Sequence, residues 1–414
     1  MTENLNENST ENIVLELNSA DDNGNGTRKV YISKKIKGAI KEETYIEAPN
    51  VMSRKPSHNN TDTWTNAKLL ELSDNLMISF PVDNSENNEY FYIGKYALEG
   101  GGSLESTNIS SPTAKLESDI TICGLGYIAA EAIKFAVKDI MEKEQKSLDE
   151  ISIDEIGEII VNSKYITALP VRVFNKENKI KLINKLNDYE GRTVRVVVND
   201  NKFKDVKINF NKKIGAVPEA VDITHFLINP TEDFLNALNK ENGTNITKEY
   251  FLKETRKIMH LSIGEGTTEY PVTYNRVYWD EKFQKGTDNG VGVALEVALS
   301  KLRTDGFNMF NSRQSVMESY LDEDDRFHDV VKATFEAPLK TQVYEIIKTL
   351  TEELSKAKKA DTLIVYGGGS IAMKEILKPQ LIEICKKLYI KLLYVPAEYA
   401  VKLEALGLRE IVNK

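Results

Sequence analysis

One local pattern occurs twice in the sequence, and this repeat restricts the possible folds more than any other feature does. In each copy an apolar, strand-like segment ends in acidic, glycine and hydroxyl residues, and a second strand-like segment follows. The copies are ADDNGNGTRKV, which begins at residue 20, and HLSIGEGTTEYPV, which begins at residue 260, so about 240 residues separate them. The repeat predicts a duplicated β-hairpin with a polar turn.

The first turn carries residue types suited to binding an anion or a metal ion. Its candidate residues are Asp22, Gly24, Asn25, Gly26, Thr27 and Lys29. Glycine lets backbone N–H groups approach an anion closely, and a carboxylate beside such a turn can hold Mg²⁺ through its water ligands. An ordinary Asn-Gly hairpin turn explains the same residues and remains the alternative.

Two more glycine-bearing segments fit the same interpretation. The second turn has hydroxyls and glycines suited to phosphate oxygens, with a plain hairpin as the alternative; its candidates are Gly264, Glu265, Gly266, Thr267 and Thr268. The third segment follows the apolar strand TLIVY and consists of Gly367, Gly368, Gly369 and Ser370. Three glycines exceed what a strand-to-helix turn needs, so we expect a flat ligand or a phosphate against this backbone.

Composition excludes several other classes of protein. The 414 residues suggest two or three domains at about 100–200 residues each. A net charge of −9 argues against nucleic acid as the main ligand, which needs a basic face. Two cysteines and four scattered histidines do not support a disulfide framework or a thiolate or histidine metal site. The polar N-terminus does not resemble a signal peptide, no apolar run reaches the length of about 18–20 residues that a membrane span requires, and no P-loop motif occurs.

Hydrophobic periodicity predicts the remaining elements. We expect a helix over 113–144, weakened by Gly124 and Gly126, and a second long helix over about 341–359. Strands are expected at 165–174, 193–199, 203–210, 362–366 and 389–396, with a helix at the C-terminus. Residues 40–110 read as short strands interrupted by Asn-rich stretches at 57–63 and 83–88, and 98–108 reads as a flexible loop. The G-x-G-x-x-A pattern in 120–130 is rejected as a dinucleotide site because no acidic residue follows at the end of a second strand.

Taken in order, these segments resemble the actin-type ATPase superfamily, and specifically the bacterial plasmid-segregating actins, the ParM and Alp-type actin-like proteins. The first turn resembles the family's first phosphate motif, D-x-G-x-x-x-x-K, which corresponds to Asp22, Gly24 and Lys29. EAPNVMSR, YFYIGKYALEGG and KYITALPVRVF are similar to three further family segments. IGAVPEA resembles the V-x-P-E segment, whose acid positions the attacking water and corresponds to Glu219.

The C-terminal half continues this resemblance. The second turn resembles the second phosphate motif, and FQKGTDNGVGVALEVAL is similar to the segment that follows it, which gives Gly286 and Gly290. LIVYGGGSIAMKEIL resembles the adenosine motif, and LLYVPAEYAVKLEALGL looks like the family's C-terminal tail. The resemblance covers nearly all of residues 13–412.

Three positions of the second turn depart from the family pattern. Ser262 stands where the motif begins with aspartate, Glu265 replaces the middle glycine, and Glu269 replaces the closing aspartate. In the family the first aspartate helps to organise Mg²⁺ and the hydrolytic water, so Ser262 leaves metal binding and hydrolysis open. Glu265 is the candidate for supplying the missing carboxylate.

The resemblance implies an α/β, actin-like (ribonuclease H-like) fold of two domains with a nucleotide cleft between them. The expected divisions are a disordered tail at 1–12, domain I at 13–245 with a small subdomain at about 33–110, domain II at 246–395, and a C-terminal helix at 396–414 that returns to domain I.

The resemblance also implies a function. It predicts a cytoplasmic ATPase that binds ATP, with GTP as the alternative, and Mg²⁺, with Asp22 in the metal shell and Glu219 as the catalytic acid. The chain would polymerise with itself and segregate plasmid DNA through a DNA-binding adaptor on the plasmid centromere, without binding nucleic acid or membrane directly. A sugar or acetate kinase of the same superfold and a nucleotide-binding scaffold with little turnover are the alternatives.

Overall fold

The computed structural model describes residues 12–55, 66–81, 89–99, 104–108, 111, 113–199, 202–274, 278–279, 285–357 and 360–414. Nearly all of the expected N-terminal tail, both Asn-rich stretches and the glycines of the 98–108 loop lie outside these residues.

The first β-sheet contains the strands of the N-terminal part of the chain. Its strands are β1 Ile13–Asn23, β2 Thr27–Ile36, β3 Ala39–Pro49, β4 Val51–Lys55, β5 Met77–Ser79, β6 Tyr90–Ile93, β7 Leu104–Ser106, β8 Ile159–Leu169, β9 Thr193–Asn199, β10 Lys202–Asn209 and β11 Ile214–Pro218. Their order is β3-β2-β1-β8-β10-β9-β5-β6-β4-β7, and β11 also pairs with β8. β1 and β8 are parallel neighbours at the centre, while β2 returns antiparallel beside β1. The first predicted turn therefore follows the carboxyl end of a central strand.

The second sheet repeats this arrangement. Its strands are β12 Lys257–Ile263, β13 Thr268–Glu269, β14 Val272–Tyr274, β15 Tyr278–Trp279, β16 Gly286–Thr287, β17 Thr362–Tyr366 and β18 Lys391–Tyr394. β12, β17 and β18 run parallel, and β13 and β14 pair antiparallel with β12. The second turn thus follows the carboxyl end of β12 as the first turn follows that of β1.

Helices cover the sheets and fill the space between them. They are α1 Lys95–Glu99, α2 Ala114–Glu117, α3 Gly124–Glu144, α4 Lys176–Asn187, α5 Ile223–Ile228, α6 Glu232–Asn242, α7 Lys248–Leu252, α8 Val291–Thr304, α9 Arg313–Leu321, α10 His328–Lys356, α11 Gly368–Ala372, α12 Lys374–Leu388, α13 Ala397–Ala400 and α14 Leu403–Val412. Short 3-10 turns occupy Asn66–Leu70, Asp119–Cys123, Leu148–Glu150 and Ile153–Glu155.

The apolar core has three main parts. One packs α3 and α4 against the first sheet, and another packs α8, α10 and α12 against the second sheet. The third lies between the sheets and combines residues of both with α5, α6, α7 and the C-terminal helices. We call this third part the central layer. It joins the two sheets, because Ala20 and Ile166 of the first sheet and Ile364 and Leu393 of the second are buried in it.

Several element boundaries differ from the sequence predictions. The helix expected over 113–144 is interrupted at Ser118, whose backbone is extended and whose hydroxyl accepts a hydrogen bond from the N–H of Ile120. The helix expected from 341 begins at His328 and continues through Pro338, where burial of Phe335 and Leu339 offsets the lost backbone hydrogen bond. The strand expected at 389–396 begins at Lys391 because α12 continues to Leu388.

Other predicted boundaries shift by a few residues. The strand expected at 165–174 is β8, Ile159–Leu169, and the C-terminal helix is divided into α13 and α14. Within the region expected as a small subdomain, β3 lies at one edge of the first sheet and β4 to β7 extend the opposite edge. The proposed domain divisions remain predictions.

One segment meets the length and composition of a membrane-spanning helix, which corrects the statement drawn from the sequence. This segment is Asp119–Glu144, and 94% of its most apolar window is buried inside the protein. It contains α3, which packs against the first sheet. Its apolar character is therefore explained by its place in the core.

The glycines of α3 allow close packing and do not weaken the middle of the helix. Gly124 is the first residue of α3, and a Cβ atom there would lie 2.7 Å from Nη2 of Arg28. Arg28 and Asp21 form a buried bidentate ion pair with distances of 2.9 and 2.7 Å, and Arg28 also donates to the carbonyl oxygens of Ile120 and Thr121. This network fixes the first hairpin to the start of α3.

Replacing Gly124 with alanine is expected to destabilise the protein. The added methyl group would overlap the Asp21–Arg28 pair, and overpacking of this kind costs about 1–3 kcal/mol. The change is measured as a lower denaturant midpoint by circular dichroism. Gly368→Ala is the matched control, because no atom lies within 4 Å of a Cβ at that position. Equal midpoints for the two variants would contradict the proposed close contact.

Candidate functional site

A cavity of about 630 Å³ lies where the ends of the two central strands face each other. Both turns contribute to its wall, and so does the glycine run, Gly367 to Gly369. The predicted residues that line it are Asp22, Gly24, Asn25, Gly26, Thr27, Lys29, Glu219, Gly264, Glu265, Thr267, Gly367, Gly368 and Gly369. Segments about 240 residues apart in sequence are thus brought to one site.

The first turn is held in place by a neighbouring loop. Asn50, between β3 and β4, donates from its side chain to the side chain of Asn23 at 2.8 Å and to the carbonyl of Gly24 at 2.6 Å. Its backbone N–H donates to the carbonyl of Gly26 at 2.9 Å. Asp22 and Lys29 are directly opposite on β1 and β2 and form an ion pair at 3.1 Å. The turn is therefore preorganised, with one carboxylate and one ammonium group at the cavity.

The second turn is supported from behind by α8. The N–H groups of Val291 and Gly292 donate to the carbonyls of Gly264 and Glu265 at 3.1 and 2.7 Å. A Cβ atom on Gly290 would overlap the carbonyl of Glu265. Gly290 is therefore required for close packing behind the turn, and it does not line the cavity.

Four other predicted residues also lie outside the lining. Thr268 is buried and donates its hydroxyl to the carbonyl of Asn289 at 3.0 Å, so this hydroxyl points away from the cavity. Gly286 leaves room for the carboxylate of Glu269, which a Cβ would overlap. Ser370 is buried and donates to the carbonyl of Gly367 at 2.8 Å, and Gly266 is absent from the lining. These residues shape the site without facing its interior.

The three glycines of the glycine run have different structural roles. Gly367 has a φ of +93°, a conformation that side-chain-bearing residues rarely adopt. A Cβ on Gly369 would lie 3.0 Å from the carbonyl oxygen of Ile263. Gly368 has open space around it and faces the cavity. Two glycines are thus explained by backbone geometry, and the third leaves free room for a ligand.

Glu219 is held at the cavity by an unusual backbone turn and by a lysine. Ala220, which follows it, has a φ of +63° and accepts a hydrogen bond from Tyr366 at 3.1 Å. The Glu219 carboxylate forms a buried ion pair with Lys115. Burial alone would lower the pKa of Lys115, but Glu219 and Asp22 outweigh this effect and leave the pKa raised. Lys115 is therefore charged.

Further acidic groups surround Glu219. Glu404, at the start of α14, lines the cavity, and the hydroxyl of Ser262 donates to its Oε1 at 2.6 Å. Burial and the nearby carboxylates of Asp22 and Glu219 raise the pKa of Glu404 to about 8. Glu269 also lines the cavity, and burial and Glu219 raise its pKa well above the usual range.

Sequence reasoning missed Lys115, Glu404 and Arg313 as site residues. Lys115 precedes α3, Glu404 belongs to the C-terminal tail, and Arg313 begins α9. Lys115 and Arg313 reach the cavity from segments that matched no motif, and Glu404 reaches it from the C-terminal tail segment, whose resemblance did not single out this residue. Arg313 pairs with both Glu265 and Glu296, so Glu265 already has a cationic partner. The cavity wall also has an apolar part, which is formed by Val291, Leu295, Met317, Leu321, Ile371 and Val401.

The donor set at the polar end suits a hard cation but does not form a complete site alone. In the described part of the chain, no group of three or more His, Cys, Asp or Glu residues is close enough to hold a metal ion. Carboxylate oxygens such as that of Asp22 are ligands that Mg²⁺ accepts, usually together with waters and phosphate oxygens of a substrate. A magnesium ion therefore fits here only together with an oxygen-rich ligand.

The two turns contact each other through Glu265. A Cβ atom on Gly26 would overlap the carboxylate of Glu265, and Gln314 of α9 donates to the carbonyl of Gly26 at 3.5 Å. Gly26→Ala is therefore expected to destabilise the protein by about 1–3 kcal/mol in denaturant unfolding. In a Glu265→Ala background most of this cost should disappear, because contacting residues show coupling of about 0.5–3 kcal/mol. Identical costs in both backgrounds would show that the turns do not touch.

Comparison with solved structures identifies the fold. No protein-family model and no curated protein matches the sequence. The actin-like protein Alp7A is 15% identical, with 97% of this chain and 96% of that chain covered and a TM-score of 0.61. An archaeal actin homologue is 14% identical, with 96% and 98% covered and a TM-score of 0.56. Bacillus thuringiensis ParM with AMPPNP is 15% identical, with 96% and 98% covered and a TM-score of 0.54.

These similarities extend over almost the whole of each chain. They confirm the α/β, actin-like fold of two domains that the motifs predicted from the sequence. The protein has the fold of the bacterial and archaeal actin-like proteins.

Proposed function

We propose that this protein is an actin-like ATPase that assembles into filaments in an ATP-dependent manner and segregates plasmid DNA. The observation that carries the proposal is the convergence of both glycine-bearing turns and the glycine run on one cavity. Structures of similar fold include Bacillus thuringiensis ParM with AMPPNP, with ATP and with ADP. The chemistry of the cavity supports a nucleotide as the ligand.

The two ends of the cavity suit the two ends of a nucleoside triphosphate. The apolar end, with Met317 and Ile371, can cover a flat base, and Gly368 leaves room for the sugar or base against the backbone. At the other end, the backbone N–H groups of Asn25 and Gly26 and the hydroxyl of Thr267 can donate to phosphate oxygens. Hydrophobic lining with a few placed polar groups is typical of small-molecule sites.

Glu219 is the residue we assign to the hydrolytic water. In phosphoryl transfer to water, a new P–O bond forms at the γ-phosphorus and the bond to the bridging β,γ-oxygen breaks, which gives ADP and phosphate. A carboxylate within hydrogen-bond distance of the water orients it and can accept its proton. Mg²⁺, when bound with the nucleotide, neutralises phosphate charge, and Asp22 is the residue we assign to its shell.

The Lys115–Glu219 ion pair makes the activity depend on the ligand. While Lys115 binds Glu219, the carboxylate is not free to orient water. The γ-phosphate provides a second anionic partner for Lys115, and transfer of the lysine to it would release Glu219. This exchange confines water activation to the triphosphate-bound state.

Glu219→Gln tests the catalytic assignment. The amide keeps the size of the side chain but cannot accept a proton, so phosphate release should fall by about 100-fold or more while ATP binding is retained. Phosphate release and calorimetric binding of ATP and GTP are measured on the same samples. Glu383→Gln, an exposed acid on α12, is the control and should match the wild type.

Two outcomes would contradict the proposal, one by showing no ATP hydrolysis and the other by showing a different phosphate acceptor. Tight ATP binding with background phosphate release in the wild type would favour the nucleotide-binding scaffold, which Ser262 and the Lys115–Glu219 pair also permit. Phosphate transfer to a sugar or to acetate would favour the kinase alternative.

Filament assembly is tested separately. The proposed cycle closes the cleft on ATP, and head-to-tail contacts that do not close into a ring then produce a helical polymer. Light scattering and sedimentation should show assembly with ATP above a critical concentration and little assembly without nucleotide. Absence of ATP-dependent assembly over a wide concentration range would overturn the filament assignment and leave the ATPase assignment untouched.

The cellular role follows from assembly. We propose that the filament acts in the bacterial cytoplasm and moves plasmid DNA through a DNA-binding adaptor on the plasmid centromere. The net charge of −9 supports this division, because an acidic chain is poorly suited to contacting DNA directly.

A further inference from the structure

Glu404 occupies a position that brings a carboxylate from the C-terminal segment into the polar end of the cavity. It lies in the first turn of α14, partly buried in the cavity wall. The segment before it is fixed to the glycine run, because the N–H of Gly367 donates to the carbonyl of Ala400 at 3.0 Å. The side chain is therefore placed by elements that already form the site.

The hydroxyl of Ser262 orients this carboxylate. Ser262 ends β12 beside the second turn and donates to Oε1 of Glu404 at 2.6 Å. Among the described residues, the Glu404 side chain accepts this one hydrogen bond. The serine thus holds one oxygen of the Glu404 carboxyl group. Within the described part of the chain, Glu404 forms no ion pair with a lysine, arginine or histidine.

Carboxyl groups are crowded near Glu404. Asp22, Glu219, Glu269 and Glu404 all line the cavity, as do Lys29 and Lys115. Both lysines are already paired, Lys29 with Asp22 and Lys115 with Glu219.

Glu269 provides independent evidence that a partner belongs here. It is 1% exposed, it reaches the cavity wall, and neither of its carboxylate oxygens has a hydrogen-bond partner among the described residues. Buried polar groups are almost always hydrogen-bonded, so we expect a ligand or an ordered water at this carboxyl group.

We propose that Glu404, oriented by Ser262, is a second carboxylate with Asp22 for the divalent cation that accompanies the nucleotide. The proposal rests on the proposed function, since the nucleotide supplies the remaining oxygens. Glu265 does not fill this role, because its charge is already neutralised by Arg313. The incomplete protein donor set agrees with a cation that binds only together with phosphates.

The test measures how much Mg²⁺ strengthens nucleotide binding. ATP affinity is determined by calorimetry at fixed pH with excess Mg²⁺ and with EDTA, and the ratio is the gain from the cation. Glu404→Gln keeps the shape of the side chain but cannot ionise to bind a cation. The gain should fall by about 10-fold or more, as is typical when a group that supports a metal site is lost. The Mg²⁺ concentration needed for half-maximal binding should rise in parallel.

Two further variants make the test specific. Glu398→Gln makes the same substitution at an exposed position on the same segment and should keep the wild-type gain. Ser262→Ala keeps the charge of Glu404 but removes the orienting hydroxyl, so it should lower the gain by a smaller factor. If Glu404→Gln fails to fold, as judged by circular dichroism, the Ser262→Ala result decides.

The outcomes separate this inference from the proposed function. If the wild type binds ATP with a clear gain from Mg²⁺ and both Glu404→Gln and Ser262→Ala keep that gain, the role of Glu404 is overturned. If the wild type binds no nucleotide with or without Mg²⁺, the proposed function itself fails.

Discussion

The central layer is the constraint on which the site depends, because it sets how the two sheets face each other. Each turn follows a central strand of its own sheet, β1 or β12, and cannot move independently of it. The layer fixes the relation of the sheets by burying side chains of both against α5, α6 and the C-terminal helices. Gly407 allows part of this packing, since a Cβ there would lie 2.5 Å from the backbone carbonyl of Asp222. The cavity is therefore a consequence of packing between the sheets.

The sequence predicted the turns well because their function and their backbone geometry require the same residues. Glycines at Gly26, Gly367 and Gly369 are enforced by close contacts or a left-handed backbone, so they form readable local motifs. The same motifs contain Thr268 and Gly290, which the structure places outside the cavity lining, where they support the second turn. A motif identifies a segment, but the direction of each side chain depends on tertiary packing.

Residues that reach the cavity from unrelated segments were not predictable in this way. Lys115 and Glu404 are ordinary charged residues in sequence, and they become site residues only because α14 and the segment before α3 meet at the cavity. The predicted start of the long helix was wrong for a similar reason. A proline normally ends a helix, yet α10 continues through Pro338 because the residues around it are buried against the second sheet. Long-range packing overrides local preference in both cases.

The charges of the site connect its chemistry to the relative position of the sheets. Asp22 belongs to the first sheet, Ser262 to the second, and Glu404 to α14, whose apolar residues pack in the central layer. A cation held jointly by Asp22 and Glu404 would respond to any change in how these three parts are arranged. If Asp22 and Glu404 bind the cation of the nucleotide as proposed, closure of the cleft would depend on the nucleotide through these same acids, because a second carboxylate beside Asp22 becomes favourable only when a cation is present.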